Sequence, residues 1–511
     1  MGTDKILAFD LGTGGCKASL YDLTGLCLGS DFRAYSTRYP RPGYHEQKPE
    51  DWWDAVVRSS RALVGSGLCD PDSVKGIGLS GFSLGMVPIG EDGRSLLEWV
   101  PIWSDARPET GDLEPFFREV PEDEWYSITG NGFPPALYTV FKILWFRREL
   151  AKEFSRARTI LGSKDYINLR LTGVPATDHS YASGTGIYDL TARAYSDRLL
   201  AASGLPRSLF PEVVPSTRIL GPLLPEAAAA LGVGRDAVVV AGGVDNSCMA
   251  LGARNLEEGS VYNSLGSSSW IAVTSRRPLL DRTYRPYVFE HVVPGMYNSA
   301  TAIFSAGTSH SWVLRELCRD LADPADPGAI YERTEALARE VPPGSRGLLF
   351  NPSLAGGSSL DPSPRIRGAF LGLTLEHTRA DLVRATLEGI CLGLRVALDV
   401  LASLTTVQDE MILAGGGAKS PLWRQMLSDV LGKRVLKTSV DQQAAALGAA
   451  AVAAVGIGAW KDFSRIRDLH EVQARHEPDP SVSGIYAGIL PAFREASRYL
   501  SGYGDSLGSR P

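Results

Sequence analysis

The chain has little excess charge of either sign. Its 511 residues include 52 lysines and arginines against 58 aspartates and glutamates, which gives a net charge of −6. Broad binding to nucleic acid or to an anionic membrane requires a basic excess, so neither is indicated. Apolar residues make up 44% and charged residues 22% of the chain, a balance typical of globular proteins and not of disordered ones. At about 150 residues per domain, the length predicts roughly two to four domains.

Paired ligands for metal or redox chemistry are missing. None of the six cysteines belongs to a Cys-x-x-Cys pair, and the seven histidines form no His-Glu-x-x-His motif. Neither a zinc site nor a thioredoxin-type site is therefore indicated. Scattered cysteines in a chain of this size suit a reducing compartment. The first ten residues lead into a strand pattern with no signal-peptide segment, and we expect a cytoplasmic protein.

Long apolar runs and the common nucleotide motifs are also absent. The longest charge-free apolar stretch, residues 444–460, is shorter than the roughly 20 residues that a membrane span needs, and it predicts a buried helix with its exit. Gly432 and Lys433 are followed by an arginine, so there is no P-loop, and no Gly-x-Gly-x-x-Gly follows the first predicted strand. A P-loop NTPase and an ordinary Rossmann dehydrogenase are therefore disfavoured.

The remaining pattern alternates strands with helices. Apolar runs at residues 6–9, 74–79 and 238–241 predict buried strands. Between residues 383 and 401, apolar side chains recur at spacings of three and four, which predicts a long helix. Pro49, with acidic residues directly after it, opens another helix. Such an alternation indicates an α/β protein.

Two short patterns occur twice and in the same order. Leu-Gly-Thr at residues 11–13 is echoed by Leu-Gly-Ser at 265–267, and DNSCMALGA at 245–253 matches DQQAAALGA at 441–449 in five of nine positions. The order turn, helix, turn, helix predicts two related lobes, with a boundary near residue 252. The segment from about residue 462 has no counterpart in the first half, and we interpret it as a C-terminal extension.

Glycine-rich turns and two aspartates mark the possible chemistry. A turn such as residues 12–15, between two strands, points backbone N–H groups into a concavity that suits a phosphate, although many such turns are only tight hairpins. Residues 415–418 offer a flat glycine surface for a nucleotide at the start of a helix. Asp10 is either a magnesium ligand or a turn cap. Asp245 is either a general base or a helix N-cap.

At these residues the chain resembles the FGGY carbohydrate kinases, most closely their xylulokinase branch. The resemblance runs from Asp10 to about Trp460. Its motifs are FDLGTGG at 9–15, GYHEQKPEDWW at 43–53, WSDAR at 103–107, KDY and LTG within 164–173, GVDN at 243–246, LGSS at 265–268 and GGGA at 415–418. Many ordered matches of this kind are more specific than any single turn.

The resemblance implies an α/β fold of two ribonuclease-H-like lobes around a deep cleft, as in actin, Hsp70 and sugar kinases. Residues 1–252 would be the sugar-binding lobe and residues 253–511 the ATP-binding lobe. It also implies ATP and Mg²⁺, a small sugar substrate, a homodimer, and no nucleic-acid or membrane partner. Asp245 would be the catalytic base, and Asp10 would hold Mg²⁺ through water. The implied ATP-binding residues are Gly12, Thr13, Gly14, Lys17, Gly266, Ser267, Ser268, Ser311, Gly416, Gly417, Ala418 and Ser420. The implied sugar contacts are Phe82, Ser83, Leu84, Trp103, Asp105, Asn246 and Trp270.

Departures from the family pattern concern the sugar. Xylulokinases usually carry Gln-Met-His where this chain has residues 82–84 (FSL), and their Gly-Glu-Arg is replaced here by residues 356–358 (GGS). D-xylulose, converted to D-xylulose 5-phosphate, is the first expectation, while ribulose, glycerol, a sugar alcohol and gluconate stay open. A non-catalytic sugar-binding regulator and an actin- or Hsp70-like ATP-driven interaction protein are the alternatives from other classes. Asp10 and Asp245 are both present, which speaks against lost catalysis.

Overall fold

The computed structural model describes residues 4–440 and 443–508, and their contacts group them into two compact units. Unit 1 consists of residues 4–256, 274–298 and 443–470. Unit 2 consists of residues 257–273, 299–440 and 471–508. The lobe boundary near residue 252 stays a prediction, because these units are assembled from interleaved segments.

The strands of unit 1, except the last one, build one large sheet and several two-stranded pairs. They are β1 (Lys5–Gly12), β2 (Gly15–Asp22), β3 (Cys27–Ala34), β4 (Glu46–Gln47), β5 (Val74–Gly81), β6 (Val87–Ile89), β7 (Val100–Pro101), β8 (Thr159–Leu161), β9 (Ala176–Asp178), β10 (Tyr188–Asp189), β11 (Ala194–Tyr195), β12 (Glu212–Val214), β13 (Ile219–Pro222), β14 (Val238–Val240), β15 (Gly243–Val244) and β18 (Tyr287–Glu290). The large sheet has the order β13-β14-β5-β1-β2-β3, and β15 also pairs with β5. β1, β2 and β3 form an antiparallel meander, whereas β5 runs parallel to β1 and β14 parallel to β5.

The helices of unit 1 pack on this sheet and around the loops that leave it. They are α1 (Pro49–Gly65), α2 (Thr110–Glu119), α3 (Glu122–Thr129), α4 (Thr139–Glu149), α5 (Ala151–Phe154), α6 (Ser163–Thr172), α7 (His179–Ala182), α8 (Asp197–Ser203), α9 (Pro225–Leu231), α10 (Asp245–Gly252) and α15 (Ala444–Gly456). The predicted helix opening at Pro49 is confirmed, with the proline in its first turn and Glu50 and Asp51 directly after it. The apolar stretch at 444–460 is confirmed as a buried helix with its exit.

The main core of unit 1 lies between the sheet and its helices. Leu7, Phe9 and Leu79 from the central strands are fully buried with Trp52 and Val56 of α1. Removing apolar surface from water stabilises a fold by roughly 25 cal/mol per Å², so the burial of these side chains stabilises the sheet. The edge of the sheet at which the parallel strands end is therefore supported by this core.

Unit 2 contains a second large sheet with a comparable strand pattern. Its strands are β16 (Val261–Leu265), β17 (Ser269–Ser275), β19 (Tyr297–Ile303), β20 (Leu349–Asn351), β21 (Ala369–Leu371), β22 (Glu410–Ala414), β23 (Arg434–Thr438) and β24 (Val472–His476). The sheet order is β19-β17-β16-β22-β23-β24. β16 and β17 are antiparallel, β16, β22 and β23 are parallel, and β24 is antiparallel to β23. The residues beyond 462, interpreted as an extension, therefore supply this sheet with an edge strand.

The helices of unit 2 are α11 (Gly307–Leu317), α12 (Ala329–Arg339), α13 (Arg379–Ala402), α14 (Pro421–Leu431) and α16 (Pro480–Ser506). The apolar spacing between residues 383 and 401 is confirmed as the buried face of α13. In both units, antiparallel strands are followed in the sheet order by parallel strands. This repeated topology confirms the predicted fold class, an α/β protein with two ribonuclease-H-like lobes. Within the residues that the structure describes, no helix is both long and apolar enough to cross a membrane.

Candidate functional site

The carboxyl ends of three strands of unit 1 bring two aspartates to one edge of the sheet. Asp10 on β1 stands in register with Ser80 on β5, and Ser80 stands in register with Gly243 on β15. Two residues after Gly243, Asp245 begins α10. The Ser80 hydroxyl donates to Asp10 Oδ1 at 2.9 Å. Ligands of α/β proteins commonly bind outside the carboxyl ends of strands, and both predicted acids lie there.

Both carboxyl groups have raised pKa values, chiefly because they are buried. Burial raises the pKa of Asp245 to about 7, and the negative charge of Asp10 adds to that rise. Desolvation also raises the pKa of Asp10, while the Ser80 hydroxyl and the charge of Lys17 oppose the shift. Lys17 faces Asp10 across the β1–β2 pair. A carboxyl group whose pKa lies near neutrality is suited to accept a proton during catalysis.

Asp245 lies at the N-terminus of α10 without acting as its N-cap. The N-cap position is Val244, and Asp245 is the first helical residue. Its Oδ1 accepts the backbone N–H of Asn246 at 2.7 Å. The N-cap alternative for Asp245 is therefore wrong, since that interpretation requires the residue before the first helical one. The side chain is left partly exposed at the sheet edge.

Asp10 has the donor chemistry that a divalent cation prefers. Its carboxylate has hard oxygens, and Ser80 orients one of them by a hydrogen bond of 2.9 Å. Mg²⁺ is usually held by one or two carboxylates, several waters and substrate phosphates rather than by a full protein cage. Residues 4–440 and 443–508 contain no group of three or more His, Cys, Asp or Glu side chains placed to hold a metal ion by themselves.

The first glycine turn is a two-residue hairpin between β1 and β2. Gly12 pairs with Gly15, so that Thr13 and Gly14 form the exposed tip. Gln47 donates its side-chain amide to the carbonyl of Thr13 at 2.7 Å. The Trp103 indole N–H donates to Thr13 Oγ1 at 2.8 Å. The turn is therefore held from outside by two residues of the motifs at 43–53 and 103–107.

The predicted sugar loop, residues 82–84, exposes fewer side chains than its interpretation as a sugar contact requires. Phe82 is 1% exposed and packs edge-on against Trp52, with ring centroids 5.4 Å apart. Leu84 is equally buried and adopts a left-handed backbone conformation, with φ of 58°. Ser83 alone of the three is partly exposed. The side chains of Phe82 and Leu84 therefore shape the loop from within the core, and only Ser83 is accessible to a ligand.

Asp105 also belongs to the support of the site. It is fully buried, and its carboxylate accepts two hydrogen bonds from the Arg107 guanidinium, at 2.8 and 2.7 Å, and the backbone N–H of His45 at 2.7 Å. Arg107 in turn bonds Glu46 at 2.7 Å. With both oxygens occupied by protein donors, Asp105 stiffens the loop that carries Trp103, which is 37% exposed.

The last two predicted sugar residues lie in different units. Asn246 is nearly buried on α10, next to Asp245, and its carbonyl accepts the side-chain amide of Asn298 at 3.4 Å. Trp270 is on β17 in unit 2, where its ring meets Tyr262 edge-on with centroids 6.3 Å apart. It is partly exposed.

The second glycine turn is the exposed three-residue connection between β16 and β17. The carbonyl of Gly266 accepts the backbone N–H of Gly307 at 3.0 Å, and the carbonyl of Ser267 accepts that of Thr308 at 3.0 Å. These two donors belong to the first turn of α11. Ser268 completes the turn. The first turn of α11 is thereby tied to the glycine turn, and the N–H groups of Gly307 and Thr308 are occupied by carbonyl oxygens of that turn.

The Gly415–Ala418 segment passes closely over the end of β16. Gly415 has φ of 93°, and a Cβ there would lie 2.6 Å from the carbonyl oxygen of Leu265. A Cβ on Gly417 would lie 2.3 Å from the Leu265 side chain. Only glycine permits this approach. Ser420 then caps α14, its hydroxyl accepting the N–H of Trp423 at 3.0 Å.

These segments surround a cavity of about 770 Å³ within unit 2. Of the predicted ATP-binding residues of this unit, six line it: Gly266, Ser267, Ser311, Gly416, Gly417 and Ser420. Ala418 is fully buried beneath it. The volume is large enough for a nucleotide-sized ligand.

Sequence reasoning missed much of the cavity wall. His310, Tyr331 and Trp423 form an aromatic cluster there, with the His310 ring 5.8 Å from Tyr331 and 5.3 Å from Trp423. Burial lowers the pKa of His310 to about 4, which keeps its imidazole neutral. Thr308, Glu335 and Lys419 also line the cavity. The sequence pattern of a strand, Gly307 and a helix could have indicated that α11 contributes to the cavity. No local pattern in α12 indicates that Tyr331 lines the same cavity.

The model of the FGGY family of carbohydrate kinases, N-terminal domain, matches residues 5–252, and that of its C-terminal domain matches residues 261–457. The chain belongs to the FGGY family of carbohydrate kinases.

Individual relatives are similar to this chain over nearly its full length. The xylulose kinase of Escherichia coli (strain K12) is 30% identical over 496 residues, which are 97% of this chain and 99% of that protein. The gluconokinase of Bacillus subtilis (strain 168) is 28% identical over 512 residues, 98% of this chain and 96% of that protein. Among solved structures, the xylulose kinase from Rhodospirillum rubrum superimposes with a TM-score of 0.89 at 28% identity, covering 98% of this chain and 100% of that one.

Proposed function

We propose that this carbohydrate kinase transfers the γ-phosphoryl group of ATP to a hydroxyl of a small sugar, with D-xylulose as substrate and D-xylulose 5-phosphate as product. The observation that carries the proposal is the Asp10–Asp245 carboxylate pair at the edge of the unit 1 sheet, where the pKa of Asp245 is raised to about 7. The full-length similarity to a xylulose kinase supports the choice of sugar.

Asp245 is the general base in this proposal. Its Oδ1 is held by the N–H of Asn246, and we assign its other oxygen to the attacking sugar hydroxyl. Accepting that proton as the oxygen attacks phosphorus makes the hydroxyl a better nucleophile, which is typically worth about 10²- to 10⁴-fold in rate. Ser83, Trp103, Asn246 and Trp270 remain the proposed sugar contacts. For Phe82, Leu84 and Asp105 we propose an indirect role, because they are buried.

The nucleotide binds in the cavity of unit 2 in this proposal. Adenosine would lie on the glycine surface of Gly416 and Gly417, beside the ring of Trp423. The neutral imidazole of His310 adds an uncharged polar edge to the same wall. The backbone N–H groups and the hydroxyl groups of Ser267 and Ser268, in the exposed turn at residues 266–268, would bind phosphate oxygens. In unit 1, the turn at residues 12–14 and Lys17 are the corresponding proposed phosphate contacts.

Asp10 is the residue that we assign to Mg²⁺, through water. When bound, the ion neutralises charge on the transferred phosphoryl group, and phosphoryl transfer depends mainly on such neutralisation and on positioning. Ser80 keeps the Asp10 carboxylate oriented by its 2.9 Å hydrogen bond. Lys17 adds a fixed positive charge on the neighbouring strand.

Gluconate phosphorylation is the second candidate. A gluconokinase is similar over the whole chain, and the loop at residues 82–84 exposes only one polar side chain. Such a loop can fix few hydroxyl groups, so the sugar must be chosen by other contacts. The loop therefore does not distinguish a ketose from a sugar acid.

The deciding experiment is a coupled ADP assay with D-xylulose, D-ribulose, glycerol, a sugar alcohol and gluconate. We expect the highest kcat/KM with D-xylulose. Asp245→Asn should lower kcat by at least about 100-fold while ATP binding is retained, and Asp70→Asn, an exposed cap elsewhere in unit 1, serves as the matched control. Full turnover by Asp245→Asn overturns the general base. Sugar binding by calorimetry without product from the wild type identifies a non-catalytic regulator instead.

The homodimer and the cytoplasmic location belong to the same proposal. Size-exclusion chromatography with light scattering tests the first, and a mass near twice 55.0 kDa is expected. Fractionation of cells that produce the chain tests the second.

A further inference from the structure

The segment that leads into Asp245 is held at two atoms by buried side chains. The carbonyl of Ala241 accepts hydrogen bonds from Lys164 Nζ at 3.1 Å and from Asn168 Nδ2 at 2.9 Å. The backbone N–H of Val244 donates to Ser180 Oγ at 2.9 Å. These two atoms bracket Gly242 and Gly243, which have no side chains with which to fix themselves.

Both contacts lead back to one ion pair. Lys164 Nζ lies 2.9 Å from Asp178 Oδ1, and Ser180 donates its hydroxyl and its backbone N–H to Asp178 Oδ2. Ser216 donates to that same oxygen at 2.8 Å. Lys164 also bonds the neighbouring Asp165. The path from Lys164 through Asp178 and Ser180 thus ends at the N–H of the residue before Asp245.

The ion pair has no contact with solvent. Lys164, Asp178 and Ser180 are each fully buried. The nearby carboxylates, acting against burial, hold the pKa of Lys164 above its usual value, so the ammonium stays charged. Burying charges in this way is a poor source of stability, since the desolvation cost offsets much of the attraction, and such pairs are best explained by the structure that they specify.

The two side-chain contacts add to the backbone bonds of this segment, which are the pairing of β15 with β5 and the bond from the Gly242 N–H to the Ser216 carbonyl at 3.0 Å. Gly242 has φ of 74°, and a Cβ there would lie 2.1 Å from the carbonyl oxygen of Leu79. A Cβ on Gly243 would meet the Val292 side chain at 2.3 Å and Ser180 Oγ at 3.3 Å. Two consecutive glycines permit this close packing, but they also leave the backbone more flexible than other residues would.

We propose that Ser180, anchored on the Lys164–Asp178 ion pair, is a positioning residue that fixes the backbone entering Asp245 and so aims its carboxylate at the sugar hydroxyl. This inference rests on the proposed role of Asp245 as the general base. Ser180 itself touches neither substrate in the proposal. Its effect is expected on kcat, because a base displaced by about 1 Å can cost up to about 100-fold in rate.

The test compares Ser180→Ala with Ser203→Ala in the full-length enzyme. Ser203 is also buried in unit 1 and also accepts one backbone N–H, that of Leu205 at 3.1 Å, but it lies on α8, which carries no proposed site residue. Both variants should lower the melting temperature by similar amounts. Only Ser180→Ala should lower kcat, by about 10- to 100-fold, with KM for sugar and for ATP changed by less than about threefold.

A third variant, Ser180→Cys, keeps a weak acceptor of nearly the same shape. We expect its kcat to lie between those of the wild type and Ser180→Ala, and it carries the test if Ser180→Ala does not fold. Equal kcat for Ser180→Ala and Ser203→Ala overturns the inference, as does a rise in KM with kcat unchanged. Asp245→Asn is measured in parallel. If it is fully active the proposed function itself has failed, whereas an inactive Asp245→Asn beside an active Ser180→Ala refutes the positioning role alone.

Discussion

Trp103 donates its indole N–H to the hydroxyl of Thr13 at 2.8 Å. The tryptophan is a proposed sugar contact, and the threonine is at the tip of the proposed phosphate turn. One hydrogen bond therefore connects a proposed sugar-binding residue with a proposed phosphate-binding residue. Trp103 is supported from behind, because the next residues are held by the buried Asp105–Arg107 pair. The phosphate turn is therefore aligned by Trp103, whose own position depends on the Asp105–Arg107 pair.

The first prediction concerns this bond. Trp103→Phe and Thr13→Val should each raise KM for ATP by roughly fivefold, because a single hydrogen bond contributes about 1 kcal/mol. The double variant should be little worse than either single one, since both changes remove the same interaction. Steady-state kinetics at saturating sugar gives KM for ATP for the wild type, the two single variants and the double variant, which together form a double-mutant cycle. Trp460→Phe removes a comparable indole bond to the carbonyl of Leu23 and should leave KM for ATP unchanged. Strict additivity would show that the bond does not matter.

The second prediction follows from the titration of Asp245. Burial and the charge of Asp10 raise its pKa to about 7, and a base must be deprotonated to accept a proton. We therefore expect kcat/KM for the sugar to fall about tenfold per pH unit as the pH drops below about 7. A profile of kcat/KM between pH 5 and 9 measures it. A flat profile down to about pH 5 would contradict the raised pKa.

The same shift has a consequence for stability. Because the folded-state pKa lies above the ordinary value of 3.8, the contribution of Asp245 is fully present below about pH 4 and is lost as the pH rises through about 7. Asp245→Asn cannot ionise, so it should unfold at a higher temperature than the wild type at pH 8 and at the same temperature below about pH 4. A shift of about three pKa units corresponds to about 4 kcal/mol as an upper bound. Thermal unfolding without nucleotide or magnesium checks the sign.

The third prediction concerns Lys142, a buried lysine that ties two loops of the site together. Its ammonium group donates to the carbonyl oxygens of Leu84 at 2.8 Å, Ile102 at 2.7 Å and Trp103 at 3.4 Å. Burial lowers its pKa to about 7. Lys142→Met keeps the volume but leaves the carbonyls unpaired, which costs about 1–3 kcal/mol for each group left without a partner. We expect KM for the sugar to rise at least about fivefold, with a smaller rise in KM for ATP because Trp103 also bonds Thr13.

Lys433→Met provides the matched control. Lys433 also donates to a backbone carbonyl, that of Val407 at 3.2 Å, but it lies in unit 2 beside Asp409. Its substitution should leave both KM values unchanged. If Lys142→Met and Lys433→Met behave alike in the kinetic assay, the two loops do not need the ammonium group.

Much of the fold could be predicted because local pattern and tertiary environment agree. The strand at residues 6–9 appears as β1, the helix opening at Pro49 appears as α1, and the apolar spacing after residue 383 appears as α13. In α1 the buried face is the face that the sequence pattern makes apolar. β1 is buried continuously from Ile6 to Phe9, as its unbroken apolar run predicts, and α13 is buried on every side from Val383 to Leu394. The order of the motifs, which suggested the family, needed no knowledge of contacts at all.

The repeated Ala-Leu-Gly-Ala helices show where prediction stopped. The repeat was interpreted as one helix per lobe, but α10 and α15 pack on each other in unit 1. A Cβ on Gly252 would lie 1.8 Å from the carbonyl of Ala444, and one on Gly448 would lie 1.9 Å from that of Cys248. Each glycine thus admits the backbone of the other helix. Such a crossing cannot be inferred from either helix alone. The start of the second repeat, at residues 441–442, lies outside the described residues.

The site was predicted well at its acids and turns and less well at its support. Asp10 lies near the carboxyl end of β1 and Asp245 directly follows β15, so their placement at one sheet edge could be expected. The burial of Phe82, Leu84 and Asp105 could not, because it depends on partners far away in sequence, such as Trp52 for Phe82 and Glu46 for Arg107. An apolar residue in a binding motif can be a contact or a support, and only packing decides which.

The last prediction separates packing from ligand contact at the glycine surface of the cavity. In Gly417→Ala, the new methyl group would lie 2.3–2.4 Å from the side chain of Leu265, whereas in Gly416→Ala it would meet nothing within 4 Å. Forcing a methyl into a filled space typically costs about 1–3 kcal/mol. Gly417→Ala should therefore lower the melting temperature and raise KM for ATP together. Gly416→Ala should keep the wild-type melting temperature and raise KM for ATP alone, because its methyl group points into the open cavity where adenosine is proposed to lie. Thermal unfolding without nucleotide, combined with ATP kinetics, tests both. If Gly416→Ala binds ATP as the wild type does, the adenosine does not rest on this surface and the nucleotide must be placed elsewhere.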